Sequence, residues 1–274
     1  MKKLMHMKNL YRHLFTVSAV VLIQANAGAA LIHEYRFDGN LNDSAGSWNA
    51  VGQGSPQLVN GSAPQGSGYL SLNGSSSLRI SSTGLPANFT IAAWFSNPLG
   101  IVGPQTIIAN GASGGNASGF KLFANRWEST AHNNGAIVVE TGTGSSGAGV
   151  ASPDGAVANN QWHHIVFVAN RSSSTGSLYC DGLAVGQGSI KSGFSLFGDL
   201  YIGKMSNDAY PLNGYIDDVR IYDSALTASE AQALSAVPEP GTTALWAGSM
   251  LAVVALLKRV HGKYRWILAR RLST

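Results

Sequence analysis

The strongest constraint on the fold is a period of two in short apolar runs. In FTIAAWF (89–95), every second residue from Phe89 to Phe95 is apolar. This alternation is typical of a β-strand with one buried face, whereas an amphipathic helix repeats every 3.6 residues. Similar runs, separated by Gly, Ser, Asn and Pro, occur at 31–37, 163–170, 177–186 and 214–222. The pattern therefore predicts many short strands joined by turns.

Two local signals add detail to this prediction. Asp181-Gly182 stands between two β-type runs and predicts a two-residue hairpin turn. In LTASEAQAL (226–234), Thr227 and Glu230 have the spacing of a capping box at the start of a short helix. Many short strands followed by one terminal helix predict an all-β fold, an antiparallel jelly-roll sandwich.

The N-terminal residues 1–30 have the three parts of a secretory signal peptide. Four basic residues and no acidic ones precede an apolar stretch at 15–23, which the small residues ANAGAA (25–30) follow. The apolar stretch is too short to cross a bilayer comfortably, which disfavours the alternative of a retained N-terminal anchor. We therefore predict export and removal of residues 1–30 by signal peptidase.

The C-terminal region divides into three parts. A turn-forming Pro-Glu-Pro segment (237–241) precedes 16 uncharged residues at 242–257, and a basic tail follows at 258–274. A helix of 16 residues is about 24 Å long, and Lys258 and Arg259 can extend it by snorkelling. By the positive-inside rule, the pattern predicts a short transmembrane helix with a cytoplasmic tail. The body between the two ends is the predicted domain at 31–236.

The two ends also carry most of the positive charge. Of the 18 Lys and Arg residues, ten lie outside 31–236, and the body has eight basic and 13 acidic residues, a formal net charge of −5. An acidic body lacks the electrostatic footprint of a nucleic-acid-binding domain, so we expect no nucleic-acid partner. The one cysteine, Cys180, cannot form an intramolecular disulfide, and we interpret it as a small buried residue.

The segment VPEPGTTALWAGSMLAVVALLKR (237–259) resembles the PEP-CTERM sorting signal of Gram-negative bacteria. The resemblance implies recognition by an exosortase and cleavage near Pro238, Glu239 and Pro240. The protein would then reside only transiently in the inner membrane before reaching the cell surface or extracellular matrix. The tail VHGKYRWILARRLST is longer than the usual basic end of such signals, and an ordinary C-terminal anchor is the alternative.

Four segments of the body together resemble a laminin-G-like jelly roll of the concanavalin A-like lectin/glucanase architecture. They are YRFDGNLNDSAG (35–46), FTIAAWF (89–95), the segment 161–186 and the segment 200–234. The last contains IDDVRIY followed by Ala-Leu and the capped helix. The resemblance implies an exported module that binds a glycan or another envelope component. It also places binding loops in the Gly- and Asn-rich region 97–160.

The acidic residues of the body predict a Ca²⁺ site. Asp38 and Asp43 lie in a turn-prone stretch, and Asp217 shares strand parity with the apolar Val219 and Ile221. Ca²⁺ takes several oxygen ligands, and a buried unpaired carboxylate is costly without a cation or hydrogen bonds. We predict that Asp38 and Asp217 share Ca²⁺, with Asp43 as a further candidate. The alternative is that these carboxylates cap turns or bond to neighbouring groups.

Aromatic and amide side chains in polar, turn-rich segments are candidates for glycan binding. Trp48 and Trp127 could stack on sugar rings, and Asn125 and Asn133 could supply polar contacts. Packing beneath a loop is the alternative for both tryptophans. In contrast, Trp94 and Trp162 lie within or beside predicted strands, and we expect them in the core.

The sequence contains no clear catalytic motif. A glycan hydrolase needs two carboxyl groups on either side of the scissile bond, yet the glutamates of the body are far apart in sequence. His163 and His164 face opposite sides of a strand and cannot chelate one ion together. We therefore expect a non-catalytic protein; a glycan hydrolase and a purely structural matrix or biofilm component remain the alternatives.

Overall fold

The structure is a computed structural model that describes residues 29–97, 103–125, 134–157 and 160–236. Its body is a sandwich of two antiparallel sheets, which confirms the predicted fold class. Within the described ranges, no helix is both long and apolar enough to cross a membrane. The predicted transmembrane helix at 242–257 lies outside them, as do residues 1–28, the Pro-Glu-Pro segment and the basic tail.

One sheet has eight strands in the order β13-β12-β11-β6-β15-β4-β3, with β1 paired to β15. Its strands are β1 (Leu31–Tyr35), β3 (Gln57–Asn60), β4 (Gly68–Asn73), β6 (Phe89–Ser96), β11 (His163–Asn170), β12 (Thr175–Cys180), β13 (Leu183–Ser189) and β15 (Asn213–Tyr222).

The other sheet has seven strands in the order β10-β9-β8-β7-β14-β5-β2. Its strands are β2 (Ala50–Gln53), β5 (Ser77–Ile80), β7 (Gln105–Ala109), β8 (Gly119–Ala124), β9 (Ile137–Gly142), β10 (Gly147–Ala151) and β14 (Leu200–Ile202).

Aromatic rings join the two sheets at the centre of the core. Phe89 and Phe167 come from the eight-stranded sheet, Phe120 from the seven-stranded sheet and Phe194 from a loop. The ring centroid of Phe89 lies 5.6 Å from that of Phe120, 5.9 Å from Phe167 and 6.2 Å from Phe194. The alternating apolar residues of the sequence form this interface between the sheets. The residues between them lie on the outer face of each sheet.

The short helix α1 (Ala228–Ala233) covers part of the outer face of the eight-stranded sheet. Its capping box is as predicted: Thr227 Oγ1 accepts from the Glu230 N–H, and Glu230 Oε2 accepts from the Thr227 N–H (2.8 Å). Ala231 packs against a small apolar cluster on the sheet, made of Ala92, Val166, Val168 and Tyr179.

The predicted Asp181-Gly182 turn joins β12 to β13. Cys180 pairs with Leu183, so the turn has two central residues. Their φ angles are +51° and +76°, both in the left-handed region that the favoured hairpin turns require.

The prediction that Trp94 and Trp162 lie in the core is wrong. Trp94 alternates with the core residues Phe95 and Ala93 on β6 and therefore faces outward. Trp162 precedes β11 and contacts Tyr69 on the outer side of the same sheet. Both side chains are half-buried.

Candidate functional site

The strand β15 contains a β-bulge at two neighbouring acidic residues. Asp217 lies opposite Trp94, and the register of β15 against β6 then shifts. Asp218 has a φ of +49° within the bulge. Ile216 and Val219 both lie in the core although they are three positions apart, because the bulge inserts an extra residue between them.

The bulge overturns the expectation that Asp217 shares a face with Val219. Asp217 instead lies on the same side of the sheet as Trp94, away from the core. It is nevertheless fully buried, since the segment around Gln65 crosses over it. The Gln65 N–H donates to Asp217 Oδ2 (3.3 Å), and the Asp218 N–H donates to Asp217 Oδ1 (2.8 Å).

The same segment connects Asp217 to Asp38. Asp38 Oδ1 accepts from the Ser67 N–H (2.6 Å), the Ser67 hydroxyl (3.0 Å) and the Gly68 N–H (3.0 Å). A Cβ atom at Gly66 would collide with the Asp38 carboxylate, and Gly66 has a φ of +63°. Glycine is therefore required for this segment to approach Asp38 closely.

Arginine side chains balance part of the acidic charge. Glu34 accepts from Arg36 Nε (2.7 Å) and from Arg220 Nε (3.0 Å). Arg220 also lies 3.0 Å from Asp218 Oδ2. Among the described residues, the buried Asp218 Oδ1 has no hydrogen-bond partner. Arg36, Asp38, Gln65, Gly66, Asp218 and Arg220 line a pocket of about 140 Å³.

Burial raises the pKa of both aspartates in the bulge. The pKa of Asp217 rises to about 7, because burial and the charge of Asp218 outweigh the hydrogen bond from Gln65. The pKa of Asp218 rises to about 6, chiefly through burial, although the nearby Arg220 opposes the rise. A cation beside these two carboxylates would offset the cost of their burial. We name Asp38, Asp217 and Asp218 the acidic cluster.

Asp43 does not belong to the acidic cluster, which corrects the sequence prediction. Its Oδ2 accepts from the Trp48 N–H (2.9 Å) and lies 2.6 Å from His33 Nδ1. Its Oδ1 accepts from the N–H groups of Glu34, Ala45 and Gly46. Burial acts to raise the pKa of Asp43, but these hydrogen bonds outweigh it and lower the pKa. The carboxylate caps a turn, which is the alternative to a Ca²⁺ ligand in the sequence analysis.

The structure describes two of the four candidate glycan-binding residues, Trp48 and Asn125. Trp48 stacks on His33, with ring centroids 3.9 Å apart, and packs against the core. Asn125 is fully buried; its amide donates to the Gly103 carbonyl (3.0 Å) and accepts from the Gly135 N–H (3.1 Å). Its predicted role as a glycan contact is therefore wrong, because its side chain anchors loop backbone. Trp127 and Asn133 lie outside the described residues.

A groove lies on the outer face of the seven-stranded sheet. Its volume is about 330 Å³, near the lower end of the range typical of ligand pockets. It is lined by Gly115, Asn116, Val138, Glu140, Gly147, Ala148, Gly149, Val150 and Ala151. A Cβ atom at Gly147 would collide with the Gly115 carbonyl, so glycine at this position allows the 114–117 loop to approach β10. We call this feature the groove.

A buried ion pair lies beside the groove. Lys121 is fully buried, with its Nζ 3.3 Å from Glu140 Oε2 and 2.6 Å from the Gly114 carbonyl that accepts from it. Burial lowers the pKa of Lys121, and Glu140 opposes that shift. The pair is part of a row of residues in register across the sheet: Val51, Arg79, Tyr201, Ala109, Lys121, Glu140 and Gly149. The sequence gives no local signal for this row.

Aromatic side chains form a second exposed feature on the eight-stranded sheet. The ring centroids of Tyr69, Trp162 and Tyr215 lie 5.2–6.1 Å apart, and all three side chains are half-buried. We call these three residues the aromatic patch. Nearby, Trp94 packs on His164 (5.0 Å), whose pKa falls to about 4 through burial and the charge of Arg220.

A two-sheet antiparallel sandwich with a short C-terminal helix and a surface groove defines the chain as a concanavalin A-like domain. Residues 64–232 match the Laminin_G_3 family, described as the "Concanavalin A-like lectin/glucanases superfamily". The chain therefore belongs to this family. No curated protein matches the chain.

Solved structures show the same fold. Domain 4 of the GH43 extracellular arabinanase AbnA from Geobacillus stearothermophilus, solved with arabinotriose, has a TM-score of 0.58 and 22% identity. That match covers 76% of this chain and all of that one. The binding domain of Paraclostridial mosquitocidal protein 1 has a TM-score of 0.58 and 18% identity, covering 75% of this chain and 51% of that one. A botulinum neurotoxin type C structure, from work on its interaction with two ganglioside molecules, has a TM-score of 0.57 and 16% identity, covering 77% and 51%.

The raised pKa of Asp218 predicts a specific dependence of stability on pH. The folded protein holds this proton more tightly than the unfolded chain, so stabilisation is complete below about pH 3.8 and is lost as pH rises through about 6. Asp218→Asn keeps a neutral side chain that tolerates positive φ. In the presence of a metal chelator, the Tm of this variant minus the Tm of the unmodified chain should increase from pH 4 to pH 7.5. Each kcal/mol of difference in the free energy of unfolding corresponds to roughly 2–4 °C in Tm.

Asp208→Asn is the matched control, because Asp208 is also an aspartate at positive φ but is exposed. Its Tm difference from the unmodified chain should not rise across the same pH range. Thermal unfolding of the full chain measures both differences. A Tm difference for Asp218→Asn that does not change with pH would contradict the prediction.

Proposed function

We propose that the protein is a non-catalytic glycan-binding module that acts outside the cytoplasm. The observation that carries the proposal is the groove on a fold of the lectin/glucanase superfamily, beside the buried pair of Lys121 and Glu140. The arabinanase domain with the same fold was solved with a bound oligosaccharide, which supports a similar ligand class here. The ligand is a neutral or weakly charged polysaccharide segment, because the groove combines the exposed Asn116 amide and backbone groups with an internally balanced ion pair.

The groove explains how such a ligand would be held. Gly149 is exposed and leaves the sheet backbone open, and Asn116 is exposed at the rim. Backbone and amide groups can exchange hydrogen bonds with sugar hydroxyls, whereas Val138 and Ala151 offer apolar surface to the ring. The pairing of Glu140 with Lys121 keeps its carboxylate fixed at the floor of the groove.

The same residues favour binding over hydrolysis. Of the described residues that line the groove, Glu140 is the one with a carboxyl group. Hydrolysis of a glycosidic bond needs two, separated by roughly 5–5.5 Å or 6.5–9.5 Å. Glycan hydrolysis is therefore the second candidate, and reducing-sugar release by the purified chain would support it.

Variants at the groove test the glycan proposal. Asn116→Ala removes an exposed amide, and Asn116→Trp fills the rim with a large side chain. We expect both to weaken binding to a glycan selected on an array by about tenfold or more, the value of one or two lost hydrogen bonds. Isothermal titration calorimetry measures the change.

Trp162→Ala is the control, because Trp162 lies on the other sheet in the aromatic patch. It should leave the affinity unchanged. Loss of binding in Trp162→Ala, with full binding in both Asn116 variants, would show that the glycan binds at the aromatic patch and not in the groove. Absence of saturable binding to any glycan would contradict the function and support a purely structural matrix role.

We further propose that the acidic cluster binds Ca²⁺. Asp38, Asp217 and Asp218 supply carboxylate oxygens, and Asp218 takes the place that the sequence prediction gave to Asp43. When bound, the ion would offset the burial cost that now raises the pKa of both bulge aspartates. It would also fix the segment at 65–68 against β15 without contacting the groove.

Calcium should therefore raise the Tm of the chelator-treated full chain at pH 7.5. At a Ca²⁺ concentration of 100 times the Kd, the free energy of unfolding should increase by about 2.7 kcal/mol. The effect should be smaller at pH 5, where protons compete for the bulge aspartates. Asp218→Asn should abolish the increase and Asp208→Asn should retain it. An equal increase in Asp218→Asn would place the ion elsewhere.

Export and sorting are also part of the proposal. The signal-peptide pattern at 1–30 and the Pro-Glu-Pro segment at 237–241 support release to the cell surface or matrix through signal peptidase and an exosortase. In Gram-negative cells that contain an exosortase, mass spectrometry should find a C-terminus near Pro238–Pro240. Replacing Pro238, Glu239 and Pro240 with alanine should leave the segment from 242 attached. An intact C-terminus in the unmodified chain would contradict processing and favour a permanent anchor.

A further inference from the structure

Three side chains of metal-binding type converge at one end of the β11–β12 hairpin. His163 begins β11, Cys180 ends β12 and Asp181 is the first residue of the turn that follows. Because Ile165 pairs with Cys180, the antiparallel register brings the start of β11 beside the end of β12. Residues 17 or 18 positions apart in sequence thus become neighbours.

The candidate ligand atoms of these three side chains all lie within 4.8 Å of one another. His163 Nδ1 lies 2.7 Å from Asp181 Oδ2 and 4.0 Å from Cys180 Sγ, and Sγ lies 3.7 Å from the same Oδ2. In a cysteine–histidine–aspartate catalytic triad, the thiol and the carboxylate occupy different ring nitrogens. Here both approach Nδ1, which disfavours a triad. Convergence of sulfur, nitrogen and oxygen on one point is instead the geometry of a metal site.

The three separations are near those of a tetrahedral zinc site, and each requires a small movement of the side chains. Zinc bonds of about 2.3 Å to sulfur, 2.0–2.1 Å to nitrogen and 2.0–2.2 Å to oxygen place the ligand atoms about 3.4–3.6 Å apart. The two distances that involve Cys180 Sγ, 3.7 and 4.0 Å, need to shorten only slightly. The pair of His163 and Asp181 must open from 2.7 Å by about 0.7 Å, because a metal replaces their hydrogen bond.

A backbone hydrogen bond holds one of the ligands in place. Asp181 Oδ1 accepts from the His164 N–H (2.8 Å), so the carboxylate presents Oδ2 to the site. Hydrogen bonds of this kind orient metal ligands in proteins. His163 and Cys180 are buried, whereas the side chain of Asp181 is 46% exposed. The site therefore has a polar interior and an opening to solvent on the side of Asp181.

We propose that His163, Cys180 and Asp181 bind one Zn²⁺ ion, with water in the fourth position. Thiolate and imidazole favour zinc over calcium, which prefers a shell of oxygens. On binding, the thiol that now approaches the Ala156 carbonyl (3.3 Å) loses its proton to solvent, and sulfur bonds to the metal. The proton of the hydrogen bond between His163 Nδ1 and Asp181 Oδ2 is also released, so that the neutral imidazole carries its proton on Nε2 and Nδ1 bonds to the metal. The ion would join the ends of two strands and the turn that connects β12 to β13. This site is separate from the groove and from the acidic cluster.

Cobalt substitution of the purified, metal-free full chain tests the proposal. Co²⁺ takes the same ligands and reports a sulfur ligand by a thiolate-to-metal charge-transfer band. We expect the band to saturate at one equivalent and to disappear when Zn²⁺ is added. Cys180→Ala should abolish the band, and Asp181→Asn should weaken Co²⁺ binding by 10- to 100-fold. Asp218→Asn, in the acidic cluster, should leave the titration unchanged.

Asp181→Asn is the second test variant in case Cys180→Ala has a folding defect. Asparagine keeps the acceptor for the His164 N–H and tolerates the φ of +51°. Its circular dichroism and its glycan binding should match those of the unmodified chain. If Cys180→Ala does not fold, weaker Co²⁺ binding by Asp181→Asn carries the proposal. Absence of a thiolate band in the unmodified chain, or equal Co²⁺ affinity in a folded Asp181→Asn, would overturn it.

Discussion

The rest of the sandwich depends on strand β15, whose hydrogen bonds connect β1, β4 and β6 within one sheet. Its apolar residues Ile216, Val219 and Ile221 pack in the core against the other sheet. An ordinary strand would have to place every second residue there. The bulge removes that restriction, because it lets Ile216 and Val219 both face inward and leaves Asp217 and Asp218 between them. Core packing and the acidic cluster therefore arise from the same backbone irregularity.

The bulge carries an energetic cost that the surrounding charges only partly offset. A buried carboxylate loses its hydration, and like charges lie nearby, Asp218 in the case of Asp217 and Glu34 in the case of Asp218, so the pKa of each aspartate is raised. Arg220 relieves Asp218 and also bonds to Glu34, so one guanidinium serves two acids. The cost is more readily understood if a cation supplies the remaining positive charge.

The sequence predicted regular structure better than it predicted sites. Alternating apolar runs, the capping box at Thr227 and the Asp181-Gly182 turn are local signals, and the structure confirms the elements they predicted. The position of Asp217 was predicted wrongly, because a bulge depends on pairing with a partner strand and leaves no local signal. The convergence of His163 with Asp181 could not be read from either residue alone, since it depends on the hairpin register.

The positions of the three sites limit how they can influence one another. The groove lies on the seven-stranded sheet, whereas β15 and the β11–β12 hairpin belong to the eight-stranded sheet on the other side of the core. A cation in the acidic cluster therefore cannot contact a sugar in the groove. Any effect of the cation on glycan affinity would have to pass across the packed core between the two sheets. Metal binding should thus govern the lifetime of the folded module, and the groove should govern its specificity.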